Sequence, residues 1–251
     1  MSVGERSETR ETSRFAQTLI DLLDRVRYRR VPPEDQFDPI YRLRYEAYRR
    51  EDFVPMNALS TVRDEFDELP NGHSFGVYID GELASSIRLH IVTPTQRTSP
   101  NMSIWPEPLH ELLDKGHSFI DPGRFTADLD FSLRFPALPY LTLRIAAMAC
   151  EHYPVRYCLS AVRPEHAAFY RRIFGSRPFA EERRREGLAF AIQLWLADVP
   201  VIRDRVAARF PFFMSTPEER AALFNDAAGD IVAIAPSARQ AQRLAQLERA
   251  V

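Results

Sequence analysis

Apolar and polar positions switch between two periods along this chain, and each switch predicts an element. Residues 26–31, "VRYRRV", alternate and read as a strand. Pro32 and Pro33 stop it. "HSFGVYID" and "ELASSIRLHIV" read as two strands joined by Asp80-Gly81, a strong hairpin signal. "SFIDPGRFTAD" (118–128) and "VRYCLSAV" (155–162) are further strands, and "RPFAEERRREGLAFAIQLWLADV" predicts a closing pair around Gly187. A helical period runs through Phe15, Leu19, Ile20, Leu22 and Leu23. It recurs over 35–50 with the stripe Phe37, Ile40, Tyr41 and Tyr48, over 136–152, and over 164–174 behind an N-terminal proline. Thr216-Pro217-Glu218-Glu219 has a cap, a proline at the first turn and a capping-box glutamate, and a last helix is expected from 237 onward. Residues 93–117 carry four prolines and read as an insertion with a short helix near Leu109 to Leu113.

The resulting order, β-α-loop-β-β-insert-β-α-β-α-β-β and then helices, predicts a mixed, largely antiparallel twisted sheet flanked by helices, an α+β architecture. We expect three parts: a tail and helix over 1–25, the main domain over 26–198, and a helical extension over 199–251. Residues 1–10 are expected to be disordered.

Composition narrows the classes without naming one. The 251 residues are 45% hydrophobic and 27% charged with a net charge of −2, ordinary for a globular protein that buries one core. That balance gives no general pull toward nucleic acid or anionic membrane. Lys115 is the sole lysine, so positive charge is almost all arginine. Cys150 and Cys158 lie on apolar segments without metal spacing and fit a reduced, cytoplasmic compartment. The polar N-terminus is not a signal peptide, and no apolar run reaches membrane-spanning length.

Charge in the wrong places changes the picture more. Arg44 falls on the core-facing stripe of its helix, where a guanidinium needs a carboxylate partner or costs several kcal/mol, roughly 3 to 5 if left alone. The alternative is a packed stem with its head in water. Arg88 shares a strand face with Ser86 and His90, and that face reads equally as solvated. "RDEFDELP" offers Asp64 and Asp67 in a loop before the hairpin. In "IDPGRF", Asp121 and Arg124 are three apart, which puts them on opposite faces of a flat strand. A bulge at Pro122-Gly123 would bring both to one side, and a glycine inside a strand marks close approach of a ligand or another backbone.

In chain order, "LRYEAY" with Arg44 and Tyr48, "DEFD" with Asp64 and Asp67, "SIRL" with Arg88, "IDPGRF" with Asp121 and Arg124, and "HAAFYRRIFG" with Tyr170 resemble the acyl-homoserine-lactone synthases and the long-chain N-acyl amino acid synthases. Both belong to the Gcn5-related N-acyltransferase superfamily. The resemblance covers about 26–198 and implies an acyl-CoA N-acyltransferase-like fold. Three departures sharpen it. "EDFVPM" lacks the tryptophan usual in lactone synthases, which favours the amino acid branch, as does His73 before the strand. Asp121 stands where glutamate is usual. "SLRFPALPY" lacks the glycine-rich pyrophosphate loop, which favours acyl carrier protein over coenzyme A as donor.

The resemblance implies transfer of a long-chain acyl group from a thioester, carried by acyl carrier protein or coenzyme A, to the amine of a small-molecule acceptor. No tightly bound cofactor and no metal is implied. Asp121 is the candidate base or amine-orienting group, Gly123 the centre of an oxyanion site built from amides freed by a strand kink, and Tyr170 the donor to the leaving thiolate. Arg88 and Arg124 are candidates to hold an acceptor carboxylate, steadied by Asp64 and Asp67, with Arg44 and Tyr48 completing the set. Leu138 to Met148 and Val155 to Val162 are candidate walls of an acyl tunnel. Arg171, Arg172, Arg177 and Arg183 to Arg185 are candidates to meet an acidic carrier. Two alternatives stay open: a lactone synthase taking S-adenosylmethionine, for which Tyr48, Phe53 and Phe66 offer aromatic faces, and a non-catalytic protein binding an acyl chain or carrier on the same fold.

Overall fold

The computed structural model describes residues 13–184, 190–225, 231–233 and 235–248. Helix α1 (Arg14–Leu23) starts at Ser13, whose side chain accepts from the Ala16 amide, and buries Ala16, Leu19, Ile20 and Leu23. Strand β1 (Val26–Arg30) follows. Helix α2 is Pro39–Arg50, four residues shorter at its start than the apolar stripe suggests. Asp38 caps it, and a residue before proline is pushed out of the helical region, so the helix begins where the Asp-Pro pair dictates. Phe37 is therefore outside the helix and exposed, and the buried stripe is Ile40, Tyr41, Leu43 and Arg44.

Strands β2 (Gly72–Ile79) and β3 (Glu82–Val92) form the expected hairpin. Asp80 and Gly81 both take positive φ, 53° and 89°, as a two-residue turn of this twist demands. The insertion folds into α3 (Pro100–Ile104) and α4 (Pro106–Asp114). Strand β4 is Phe119–Ala127. A short helix absent from the sequence expectation, α5 (Leu129–Arg134), is capped by Asp128, and α6 (Leu138–His152) follows. Next come β5 (Tyr157–Val162), α7 (Ala167–Phe174), and the short β6 (Arg177–Pro178) and β7 (Arg183–Arg184), which both pair with β8 (Ala191–Asp198). The turn expected around Gly187 lies outside the described residues. Beyond it run α8 (Val199–Arg209), a 3-10 turn Pro211–Phe213, and α9 (Pro217–Phe224), capped by Thr216 as its sequence predicts. Strand β9 (Ile231–Ala233) and α10 (Ala235–Glu248) close the chain.

The sheet order is β6-β8-β5-β4-β3-β2-β1-β9. Strand β9 corrects the purely helical reading of the C-terminal region, because it pairs with β1 and extends the sheet edge. Every described pairing is antiparallel except β4 with β5, which are parallel. That parallel pair is joined only at Phe119–Tyr157 and Ile120–Cys158. From Asp121 onward β4 has no partner on that side.

Adjacent residues of β4 feed two cores. Ile120 enters the larger one, with α1, α6 and Phe210, Phe212, Phe213 and Phe224 from the C-terminal segment. Phe119 enters a second one around Trp105, built by α3, α4, β5 and β8. The sheet is covered on both faces, and the gap between β4 and β5 opens into its middle.

Candidate active site

The β3–β4 ladder slips by one residue: Ser86 faces Thr126, and Arg88 faces Gly123. Two residues of β3 thus span three of β4, a bulge that falls at Arg124. Arg124 takes φ 52°, a conformation that costs a non-glycine residue roughly 1 kcal/mol or more. The bulge turns the Arg124 side chain toward Asp64, to which its guanidinium bonds. A Cβ built on Gly123 would meet nothing within 4 Å, so its α-carbon borders open space. Strand amides alternate between two neighbours, so about half of those over 121–127 point to the vacant β5 side. Pro122 is tolerated here because this stretch behaves as an edge.

The face of β3 that reads equally as solvated is buried. Ser86 bonds the Thr126 hydroxyl at 2.7 Å, and His90 Nε2 contacts the Phe66 carbonyl at 3.0 Å. Arg88 is 1% exposed and Arg44 0%. Around them the aspartates of the 3-10 turn Glu65–Asp67 form a chain of ion pairs. Arg44 Nη1 donates to Asp67 Oδ1 (2.8 Å) and Nη2 to Ser74 Oγ (2.8 Å). Arg88 Nη1 lies 2.8 Å from Asp67 Oδ2 and donates to Asp64 Oδ1 (2.5 Å). Asp64 then takes Arg124. Asp64 also caps the turn, accepting from the Phe66 amide, and Asp67 accepts from the Asp64 amide. The sequence places both aspartates because the turn needs a capping box, and the same carboxylates hold the arginines.

Burial alone would raise both carboxyls. The Arg88 and Arg124 guanidinia overcome it at Asp64, and Arg44 and Arg88 at Asp67, so both stay below the usual carboxylate range. The set carries three guanidinia against two carboxylates. Arg124 stands at its outer end, over the Tyr48 ring at 5.5 Å, with its side chain 21% exposed.

Asp121 pairs with neither Arg44 nor Arg124. It is 2% exposed and accepts from Asn101, through the amide nitrogen (3.2 Å) and Nδ2 (2.6 Å). Burial pushes its carboxyl up, opposed by the Ser99 side chain and the Asn101 donors. Asn101 comes from the proline-rich insertion, and nothing in "SPNMSI" marks it from sequence.

Arg88, Asn101, Asp121, Gly123 and Arg124 line one end of a cavity of about 1320 Å³, larger than a pocket for an ordinary small ligand. Tyr48 and Phe53 border the same end; Phe66 instead packs on His90 and Arg88. The body of the cavity is apolar, with Leu143, Ala146 and Ala147 on α6, Leu159 and Val162 on β5, and Phe174 on α7. Both expected wall segments, on α6 and β5, thus line it. Tyr170 faces it, makes no hydrogen bond through its hydroxyl among the described residues, and is pushed up to about 12 by burial, with Cys158 adding to the shift. Cys150 and Cys158 are free thiols on the same wall, and no metal-binding cluster occurs among the described residues. Arg171, Arg172, Arg177 and Arg184 are exposed or partly so, Arg183 pairs with Glu107 (3.5 Å), and Arg185 lies outside the described residues.

Residues 39–198 match the family described as the N-acyl amino acid synthase FeeM. The chain belongs to that family. The chain is an acyltransferase, and acyl transfer to an amine is its reaction. Among solved structures it resembles FeeM from uncultured soil microbes (19% identity, 74% of this chain and 98% of that one, TM-score 0.57). It also resembles the CoA-dependent acyl-homoserine lactone synthases MesI (14% identity, 73% and 95%, TM-score 0.51) and BjaI (14%, 72% and 90%, 0.50). At these identities the likeness shows the fold, a mixed sheet of acyl-CoA N-acyltransferase type. No sequence among the curated proteins matches the chain significantly. The catalytic family sets aside the non-catalytic alternative. No helix among the described residues is long and apolar enough to cross a membrane.

Proposed function

We propose that this N-acyl amino acid synthase transfers a long-chain acyl group from acyl carrier protein to the amine of a free amino acid. The observation that carries the reading is the unbalanced charge at the cavity's polar end. Three buried or half-buried arginines face two aspartates, and the outermost, Arg124, borders the cavity. An acceptor carboxylate restores the balance, and guanidinium binds it with two parallel hydrogen bonds. Arg88 has both aspartates and is too enclosed to serve as that contact, so Arg124 takes the acceptor and Arg88 keeps the set in place. The Tyr48 and Phe53 rings at the same mouth suit an apolar or aromatic acceptor side chain.

With the carboxylate on Arg124, the amine reaches the carbonyl carbon beside Gly123. Asp121 takes a proton from the ammonium, and the neutral nitrogen attacks the thioester carbonyl to form the C–N bond and an oxyanion. Collapse breaks the C–S bond as the nitrogen's second proton passes to the departing thiolate. Unpaired amides of β4 receive the oxyanion, an effect of about 3 kcal/mol per donor. Tyr170 remains protonated at any working pH. Full transfer from so weak an acid to a thiolate runs uphill, so Tyr170 donates a hydrogen bond to the departing sulfur.

Support for the carrier donor comes from the start of α6. Leu138 bonds the Phe135 carbonyl, Tyr140 and Leu141 bond Ala137, and Pro139 has no amide, so these positions hold no donor free for a pyrophosphate. Exposed Arg171 and Arg172 on α7, beside the cavity, suit an acidic carrier surface. The two free thiols fit a cytoplasmic enzyme.

The test offers purified enzyme a long-chain acyl carrier donor with each amino acid, and separately with S-adenosylmethionine. N-acyl amino acid is the expected product. Acyl-homoserine lactone from S-adenosylmethionine, with no N-acyl amino acid under any condition, refutes the proposal.

A further inference from the structure

The family match ends at Asp198, and 98% of the FeeM neighbour is covered by only 74% of this chain. The segment after Asp198 nevertheless lines the same cavity. Ile202, Val206 and Ala207 of α8, and Phe213 and Met214 after it, all border it. Phe213 packs with tilted rings against Phe174 of α7 at 5.3 Å and against Phe212 at 4.6 Å, and it is 4% exposed. The aromatic pair Phe174–Phe213 joins α7 to the segment.

A second observation ties the segment in place. Arg144 is fully buried on α6 and has no part in the acyl-transfer chemistry. Its Nε donates to the Phe212 carbonyl (2.6 Å), its Nη2 to the Met214 carbonyl (2.5 Å), and its Nη1 to Glu219 (3.1 Å). These bonds grip the backbone on both sides of Phe213. A buried guanidinium without such partners is costly, so α6 and the segment are built for each other.

We propose that residues 199–215 form the floor of the acyl site, and that Phe213, with Val206 and Ala207, sets the longest acyl chain the enzyme accepts. This rests on the acyl-transfer reading above. An apolar wall discriminates chains by the methylenes it admits or excludes, about tenfold or more for each one. A wall supplied from outside the matched family region lets this chain set its own length range.

The test compares full-length wild type with Phe213→Ala, which deepens the floor, and Ala207→Trp, which raises it. Each receives a graded series of saturated acyl carrier donors with one amino acid acceptor, and kcat/KM is read for every length. Phe213→Ala is expected to move the optimum to longer chains and Ala207→Trp to shorter ones, changing the long-to-short ratio at least tenfold in opposite directions. Phe213→Leu replaces the alanine variant if that one does not fold. A parallel binding measurement displaces a fluorescent long-chain fatty acid with free fatty acids of graded length, and the same shifts are expected. Folded variants with the wild-type length profile in both measurements overturn the inference and leave the acyl-transfer reading intact. A wild type that acylates no amine overturns that reading, and the displacement series then decides the floor alone. No binding of the fatty acid by wild type overturns the floor.

Discussion

Two arginines, Arg88 and Arg144, are buried almost completely; Arg88 lines the cavity, Arg144 holds the segment that supplies Phe213 to it, and their partners differ. Arg88 is held by two carboxylates that also hold Arg44 and Arg124, so its network carries surplus positive charge and ends at a side chain facing the cavity. Arg144 is held mainly by backbone carbonyls and one glutamate, Glu219, and its network ends inside the protein. Burial alone therefore does not mark a functional charge. What distinguishes the two networks is whether the charge is balanced within the fold or left for a ligand to balance.

The largest effect separates the polar end from everything else. Asp121→Asn keeps the shape and one of the two Asn101 hydrogen bonds but removes the base. We expect kcat to fall by roughly 100- to 10,000-fold, with a far smaller change in stability. The sign of the pH dependence follows from burial. A base acts deprotonated, and the Asp121 carboxyl is raised, so wild-type kcat/KM rises with pH through a limb above the ordinary carboxylate range. Loss of that limb in Asp121→Asn checks the assignment; an unchanged limb assigns the base elsewhere.

Next in size are Arg88→Ala and Arg144→Ala. Each strands buried partners, and each is expected to lower unfolding free energy by about 3 to 5 kcal/mol in urea titration. The burial of Arg88 between Asp64 and Asp67 makes its removal cost stability as well as activity. Arg124→Ala tests the comparison more finely. Arg88 continues to hold Asp64, so stability changes little, while KM for the amino acid rises roughly 100-fold. A stability loss as large as that of Arg88→Ala, with KM unchanged, makes Arg124 structural and removes the contrast between the two networks.

The polar end was far more legible in sequence than the apolar end, for a physical reason. A charge on a core-facing stripe, as at Arg44, or a proline-glycine break within a strand, as at Pro122-Gly123, contradicts its local pattern and so stands out. Leu143, Val206 and Phe213 obey theirs, and a cavity wall has the same composition as a core. Asn101 was invisible because it contacts Asp121 from an insertion whose fold depends on tertiary packing. Arg144 is a charge in an otherwise apolar helix and is the one signal of the segment's anchorage that the sequence carries. The start of α2 was missed for a local reason, the Asp38-Pro39 cap, which outranks hydrophobic periodicity at a helix end. Strand β9 is three residues long, too short for a period to register.

The smallest predicted effect tests whether the polar end is built for near-neutral pH. His73 and His90 lie on the neighbouring strands β2 and β3, and both are pulled down to about 4. Burial is the main cause in each, with Arg30 adding at His73 and Arg88 at His90. Both rings are thus neutral in the folded protein near pH 5 and protonated in the unfolded chain below its ordinary pKa of about 6.5. The unfolded state then binds more protons, so stability falls as pH drops from about 6.5 toward 4. Each ring contributes at most about 3 kcal/mol across that window, less where water reaches it. Asp64 and Asp67 give no loss there, because their depressed carboxyls contribute stability that is lost only as pH falls below the ordinary carboxylate range. Urea titrations of wild type and His73→Gln at several values between pH 7 and 4 check this. A shallower slope in the variant confirms that the ring is held neutral beside Arg30. An identical slope means that another group, His90 first among them, carries the acid sensitivity.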